Sequence, residues 1–337
     1  MDNLSIEPLA GHPKYEKIRD LDKGAFGWVQ HARNQQTGEE VAVKFIELGQ
    51  RFYQKYVERE IINHRLLAHP HIVGFKEVFH LAIVMEYVGG GNLQQYVEAA
   101  GRLPEWQARC FFQQLILALQ YCHASLHIAH RDIKLGNVLL NTKYQIPILK
   151  LCDWGYSKST QWGSTPRTRV GTAAYISPEV ARSRGDKGYD TEKADVWSAG
   201  VTLYCMLAGR YPFMDVDQQV RLKKIQDLSP VDVEAALGKL PSDVSPDCVA
   251  LLRRIFAIEP AQRPSLTDLM ADVWFRQFLP DLSKLAVAQP RVQQSVEDIT
   301  AILQDAERLS RARQAQRDEF DNELMEDAEL EDALDDQ

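Results

Sequence analysis

Two carboxylates and an amide in the middle of the chain have the types and spacing for one kind of chemistry: Asp132 and Asn137 in "HRDIKLGNVLL" (130–140), and Asp153 in "CDWG" (152–155). Phosphoryl transfer from ATP needs phosphates held, a metal held and an acceptor hydroxyl aligned, with positioning and charge neutralisation supplying most of the catalysis. On this reading Asp132 orients the acceptor, Lys134 lies on the phosphate side, and Asn137 is a metal ligand. Asp153 is the main magnesium ligand, because a hard cation wants carboxylate oxygen and keeps substrate phosphates as other ligands. His130 and Arg131 would support the loop.

The remaining requirements have candidates upstream. In "LDKGAFGWV" (21–29) Gly24 and Gly27 let backbone N–H groups approach phosphate, while Val29 and Ala42 would cover the adenine. "VAVK" puts Lys44 beside Ala42, where it would bind the ATP phosphates and be oriented by Glu60. Asp22 stands where the first glycine of a G-x-G-x-x-G-x-V loop belongs. Its carboxylate repels triphosphate, and a non-glycine is restricted if the backbone there needs positive φ, so weakened ATP binding with activity retained is expected. Downstream, "SPE" (177–179) and "DVWSAG" (195–200) continue the series, and Glu179 should pair with Arg263 of "PAQRPS", locking the helical half.

The elements that must position these groups are legible in outline. From Tyr15 to Tyr87 the chain alternates or runs apolar between Gly, Asn and Thr-Gly turns, which predicts strands, interrupted by one helical stretch, "YQKYVEREIINHRLLAH". From Pro104 the apolar residues recur at three- and four-residue spacing, which predicts a helical region. The fold class is therefore α+β, a strand-rich lobe followed by a larger helical one. "VGGGN" (88–92) is the joint, and a further amphipathic segment covers 291–310. The chain has 337 residues and 45% hydrophobic content, enough for a substantial core. No apolar run approaches the roughly 18 residues needed to span a bilayer, and no signal segment is evident, so an intracellular protein without membrane contact is expected. Five cysteines without C-x-x-C spacing suggest neither a disulfide framework nor a zinc site. Eleven of the 47 acids lie between Asp318 and Gln337, leaving 39 bases against 36 acids elsewhere; the acidity belongs to a tail and argues against direct nucleic-acid binding.

Taken together, these motifs resemble the eukaryotic protein-kinase domain over 15–278, with a bilobal fold, N-lobe 15–87, hinge 88–92 and C-lobe 93–278. Lys134, two after Asp132, is similar to the serine/threonine rather than the tyrosine enzymes. "REIINHRLLAHPHIVGFKEV", "CDWGYSKS" and "ADVWSAGVTLYCMLAGRYPF" resemble the second subfamily of plant SnRK kinases, which respond to osmotic stress and in part to abscisic acid. The resemblance implies an ATP-dependent enzyme that phosphorylates protein Ser/Thr hydroxyls with Mg²⁺, or alternatively Mn²⁺, in the cytoplasm and nucleus. It adds Leu21, Met85, Glu86, Tyr87, Asn92 and Leu139 to the nucleotide site, and Asp195 to the structural residues. It also implies an extension at 1–14, a linker at 279–290, a regulatory helix at 291–310 that packs on the regulatory helix of the small lobe, and an acidic tail at 311–337. In the family that tail contacts type two C protein phosphatases; its composition is of the kind that often stays disordered until it meets a basic surface.

Departures from the family pattern carry their own expectations. Trp154 replaces the usual Phe, and a larger ring either braces the active arrangement or overpacks it. The segment before "LAIVMEY" is short, leaving a tight hairpin at Phe79 and His80. Asn92 and Gly136 stand where many basic-directed kinases carry acids that read an Arg three residues before the acceptor, so an Arg-x-x-Ser/Thr preference is relaxed. In "YSKSTQWGSTPRTRVGTAAY" Thr168 lies where an activating phosphate would sit, added by an upstream kinase or by the protein itself. Ser164 is a second candidate, and Thr172 is a contact to the catalytic loop. In 294–309, Val296, Ile299, Ile302, Leu303 and Ala306 share a helical face, with Ser295 and Asp298 as an N-terminal cap. A pseudokinase scaffold is the competing reading, and a metabolite kinase is disfavoured by "VGTAAYISPE".

Overall fold

The computed structural model describes residues 8–24, 27–46, 54–159, 172–183, 188–213, 218–279, 294–306 and 308. Two compact units emerge: Met1–Glu58 with Lys76–Met85 and Val292–Gln337, and Arg59–Phe75 with Glu86–Arg291.

The first unit is built on a five-stranded sheet from β1 (Tyr15–Gly24), β2 (Gly27–Asn34), β3 (Glu40–Ile46), β4 (Phe75–Phe79) and β5 (Ala82–Glu86), in the order β1-β2-β3-β5-β4. β1 pairs antiparallel with β2 and β2 with β3, and two register shifts in β1 bracket the Arg19–Asp20 stretch. The β2–β3 turn closes because Asn34 Oδ1 accepts from the backbone N–H groups of Gln36 and Thr37, the turn chemistry of a short polar side chain. Ala32, Val41, Val43, Phe45, Ala82 and Val84 bury one side of the sheet together with Leu9 and Tyr15. Between β4 and β5 the chain reverses through His80 and Leu81, with His80 in the left-handed region at φ 47°. β4 is an edge strand, and its Val78 N–H and C=O are both met by the Gln294 side-chain amide, at 2.7 and 2.8 Å. Directly after Gln294, Ser295 and Asp298 form a reciprocal cap on helix 296–306, whose Ile299, Leu303 and Ala306 are buried while Val296 and Ile302 are half-buried.

α1 (Gln54–Arg65) carries the boundary between the units. The second unit contains its last turns and α2 (Leu93–Ala100), α3 (Glu105–Gln120), α4 (Pro178–Arg182), α5 (Thr191–Ala208), α6 (Gln218–Gln226), α7 (Pro230–Leu237), α8 (Pro246–Ile255), α9 (Leu266–Ala271) and α10 (Val273–Arg276). Its short strands are β6 (Ile128–Ala129), β7 (Val138–Asn141), β8 (Ile148–Leu151) and β9 (Lys158–Ser159), pairing β6 with β9 and β7 with β8. α3 and α5 supply the centre of the core, with Phe111, Phe112, Ile116, Val201, Leu203 and Met206 fully buried. From Ala194 to Leu207 α5 is buried on every side apart from half-buried Ser198, as befits a helix enclosed by protein. At Gly200 a Cβ would lie 2.3 Å from Ile255 Cγ2, so the glycine is what lets α8 approach. Among the described residues no helix is long and apolar enough to cross a membrane.

Candidate active site

In the second unit the catalytic-loop candidates hang from α5. Asp195, buried one turn into that helix, accepts from His130 N and His123 Nε2 through Oδ2 and from Arg131 N through Oδ1, each at 2.8 Å. Burial pushes its carboxyl pKa up, but the His123 hydrogen bond and the neighbouring charges outweigh this and hold it below the ordinary value. Two successive N–H groups can meet one carboxylate because Arg131 takes a left-handed conformation, φ 69°, strain that the Asp195 contacts offset. His130 is fully buried; its Nε2 lies 3.0 Å from the Cys152 carbonyl, and its Nδ1 accepts from Asp132 N. A carbonyl only accepts, so Nε2 carries the proton.

These contacts present the Asp132 carboxylate to four donors. Oδ1 accepts from Thr172 N and Thr172 Oγ1, both at 3.1 Å, and Oδ2 accepts from Lys134 Nζ at 2.7 Å and Asn137 Nδ2 at 3.0 Å. Lys134 Nζ also donates to Thr172 Oγ1 at 3.0 Å. Asp132 is 4% exposed. A charge so buried is tolerable because every donor around it is satisfied by it.

The β7–β8 hairpin brings the metal-ligand candidates together. Val138 pairs with Leu151, and Cys152 N donates to the Asn137 carbonyl at 2.9 Å, so Asn137 and Asp153 follow from the same end of the ladder. The Asn137 amide nitrogen is spent on Asp132, so its side-chain oxygen is the atom that could ligate a cation. Asp153 has φ 66°. At Gly155 a Cβ would stand 3.2 Å from Glu60 Oε2 and 3.5 Å from Asp153 Oδ1, so glycine lets both carboxylates crowd the turn. Asn63, one turn after Glu60, donates to Ser157 Oγ in the same turn. Among the described residues no three His, Cys, Asp or Glu side chains gather into a closed metal cage. One carboxylate and one amide oxygen fit a hard cation that brings phosphate oxygens as its other ligands.

The nucleotide candidates of the first unit lie on β1, β2, β3 and β5. Val29 is the register partner of Lys44 and of Asp22, Gly24 pairs with Gly27, Ala42 is buried, and Lys44, Met85 and Val29 are half-buried; Leu21 and Asp22 are exposed. In the second unit Glu86 accepts from Lys150 Nζ and Gly74 N, Tyr87 is half-buried, and Asn92 bridges Leu139. The Asn92 side-chain oxygen caps α2 by accepting from Gln95 N at 2.9 Å, and Gln95 returns a bond to Asn92 N. Thr168 and Ser164 lie outside the described residues.

The protein kinase domain family model matches residues 15–275. This chain belongs to that family. It is 43% identical over 323 residues to the serine/threonine-protein kinase SRK2A of Physcomitrium patens, covering 90% of this chain and 88% of the relative. It is 45% identical over 311 residues to SAPK2 of Oryza sativa subsp. indica, covering 87% of each chain. Against SRK2J of Arabidopsis thaliana the identity is 48% over 275 residues, with 79% of this chain and 78% of the relative covered. These relatives are the plant kinases that the sequence motifs resemble.

In this kinase Glu179 and Arg263 meet in a two-pronged ion pair at 2.8 and 3.1 Å, and Arg263 also donates to the carbonyls of Ala257 and Lys193 and lies over the Trp197 ring. The Arg263 side chain is fully buried. Arg263→Ala is expected to cost about 3–5 kcal/mol, because it strands a largely buried carboxylate and two carbonyls. Urea unfolding would register this, and a loss under 1 kcal/mol would mean that solvent reaches Glu179.

Trp154 is 1% exposed, edge-on to His130 at 4.6 Å, and its indole N–H has no acceptor among the described residues. The larger ring therefore brings an unsatisfied donor into the core. Trp154→Phe removes that donor, a gain of about 1–3 kcal/mol, and loses packing of similar size. Stability within about 1 kcal/mol of the parent is expected in the same unfolding experiment. Sequence reasoning missed His123, Asn63 and Gly155. Of these only Gly155 carries a local signal, its place after Trp154; the other two acquire meaning from partners 72 and 94 residues away.

Proposed function

We propose that this chain transfers the γ-phosphate of ATP to serine and threonine hydroxyls of proteins, in osmotic-stress or abscisic-acid-type signalling. It is an ATP-dependent serine/threonine protein kinase working with a divalent cation, which we assign as magnesium. The observation that carries the reading is the Asp132 carboxylate, buried yet held by Lys134, Asn137 and Thr172. Asp132 accepts the acceptor's proton and fixes its approach, and Lys134 balances charge on the moving phosphoryl group. Asn137 and Asp153 hold the cation, which when bound neutralises charge developing on the phosphate oxygens. Lys44 and Glu60 are assigned to the nucleotide phosphates, and Leu21, Gly24, Gly27, Val29, Ala42, Met85, Glu86, Tyr87, Asn92 and Leu139 to nucleotide binding.

Phosphate on Thr168, or secondarily Ser164, activates the kinase by engaging Arg131. The amphipathic segment at 291–310 has a regulatory role, a reading supported by the buried face of helix 296–306 and the clamp of Gln294 on β4. The acidic tail serves as a contact for a type two C phosphatase.

Substrate choice is neutral where basic-directed enzymes place acids. Asn92 is occupied as a helix cap, and a Cβ at Gly136 would find only Gln94 Oε1 at 3.5 Å and Lys134 Cε at 4.0 Å, so the position is open. Serine peptides with Arg or Ala three residues before the acceptor should be phosphorylated with kcat/KM values within about three-fold of each other. Gly136→Glu should raise the Arg peptide's advantage by roughly ten-fold, the worth of one close charge pair. A strong Arg preference in the parent would mean that another acid reads that residue, and no transfer to any peptide, even after treatment with upstream kinases, would favour the scaffold reading.

A further inference from the structure

We propose that Tyr189 is a positioning residue for phosphoryl transfer, its hydroxyl oxygen acting as a built-in stand-in for the activating phosphate at Arg131. The inference rests on the kinase reading above and adds what holds the catalytic loop before any phosphate is present. Arg131 Nε and one terminal nitrogen both donate to the Tyr189 hydroxyl, at 3.2 and 2.7 Å, and the guanidinium lies 5.7 Å from the centre of the Tyr189 ring. The other terminal nitrogen donates to the Tyr156 carbonyl at 3.3 Å. Two nitrogens of an edge suited to the oxygens of a carboxylate or phosphate thus meet on the neutral Tyr189 hydroxyl.

The surroundings explain why that oxygen can set geometry. Tyr189 immediately precedes Asp190, whose side chain caps α5 by accepting from Glu192 N and Lys193 N. Asp195, on the same helix, accepts from Arg131 N. One buried helix thus holds Arg131 at its backbone and, through Tyr189, at its guanidinium. Arg131 sits at φ 69° next to Asp132, so a change in its side-chain tether acts on a strained backbone joined directly to the acceptor-orienting carboxylate. Burial pushes the Tyr189 phenol above its ordinary pKa, so it stays neutral. A neutral acceptor binds a guanidinium more weakly than a phosphate carrying close to two negative charges, so an arriving phosphate takes over the tether and the hydroxyl then becomes dispensable.

The test is Tyr189→Phe, which keeps the ring and its packing and removes only the hydroxyl, compared with the parent in phosphatase-treated and activation-segment-phosphorylated forms. Two readouts are taken: kcat and KM with a serine peptide, and amide hydrogen exchange across 129–137. In the unphosphorylated form kcat should fall about ten-fold, the scale of one hydrogen bond to a charged group, with KM for ATP within about two-fold and faster exchange at Arg131 and Asp132. In the phosphorylated form both differences should shrink to within about two-fold. Equal losses in the two forms would overturn the proposal by showing a purely structural hydroxyl, and unchanged exchange in the unphosphorylated form would overturn it whatever the activity. If the parent itself transfers no phosphate, the kinase reading fails, and the exchange comparison still decides the role of Tyr189.

Discussion

Asp132→Asn should leave the fold intact and reduce kcat by roughly 10³-fold, within the range by which a positioned proton acceptor accelerates reactions. The substitution preserves shape but replaces one carboxylate oxygen by a donor. Both oxygens already face donors, Thr172 N and Oγ1 on one side and Lys134 Nζ and Asn137 Nδ2 on the other, so an amide must set an N–H against N–H or O–H groups. It also removes the only negative charge those groups share and with it the capacity to take a proton from the acceptor hydroxyl. KM for ATP should change little, because the loss falls on the transition state. Steady-state assays with magnesium, ATP and a serine peptide check this, with thermal unfolding as the control for folding. Retention of more than a tenth of the parent kcat would exclude Asp132 from proton transfer.

Acid should unfold the second unit in a window set by two histidines. His69 stacks on Tyr121 with ring centres 5.2 Å apart, and His71 Nδ1 lies 3.2 Å from the Leu149 carbonyl. Burial lowers both pKa values from 6.5 to about 4, and the Lys150 ammonium adds to the effect on each. Because the folded values lie below the unfolded one, the unfolded chain binds more protons between pH 6.5 and 4, and stability rises with pH across that interval. The contribution is fully present above pH 6.5 and is lost as pH falls towards 4, by about 3 kcal/mol per histidine. Urea midpoints at pH 7.5, 5.5 and 4.5 should fall steeply in the parent, and the slope should flatten in a His69→Phe/His71→Asn double variant, which keeps the stacking ring and a polar group near Leu149. A parent midpoint that does not move between pH 7.5 and 4.5 would show that both rings are protonated without cost.

Much of this kinase is legible from local pattern. Strand alternation from Tyr15 to Tyr87 appears as five strands, and the helical period after Pro104 appears as α3. The Ser295 and Asp298 spacing appears as a reciprocal cap, because capping depends on residues three apart. The Glu179 and Arg263 pair is a long-range contact that motif order anticipated, and it is found. The finer roles of Trp154 and Asn92 were not readable. Whether an indole finds an acceptor depends on neighbours such as His64 and His130, brought in from distant segments, and Asn92 is committed to its cap by the start of α2.

By itself the sequence determined which chemistry the chain carries. Asp132, Lys134 and Asn137 lie within six residues and Asp153 follows at the next hairpin, so their order and types are set by covalent spacing. Only the tertiary structure decided how that chemistry is held. Asp195 lies more than 60 residues beyond the loop whose N–H groups it gathers, Thr172 reaches Asp132 across 40 residues, and Tyr189 reaches Arg131 across 58. Such contacts exist because burying α5 and α3 in one core brings separated segments to fixed distances, and no periodicity along the chain encodes a distance of that kind.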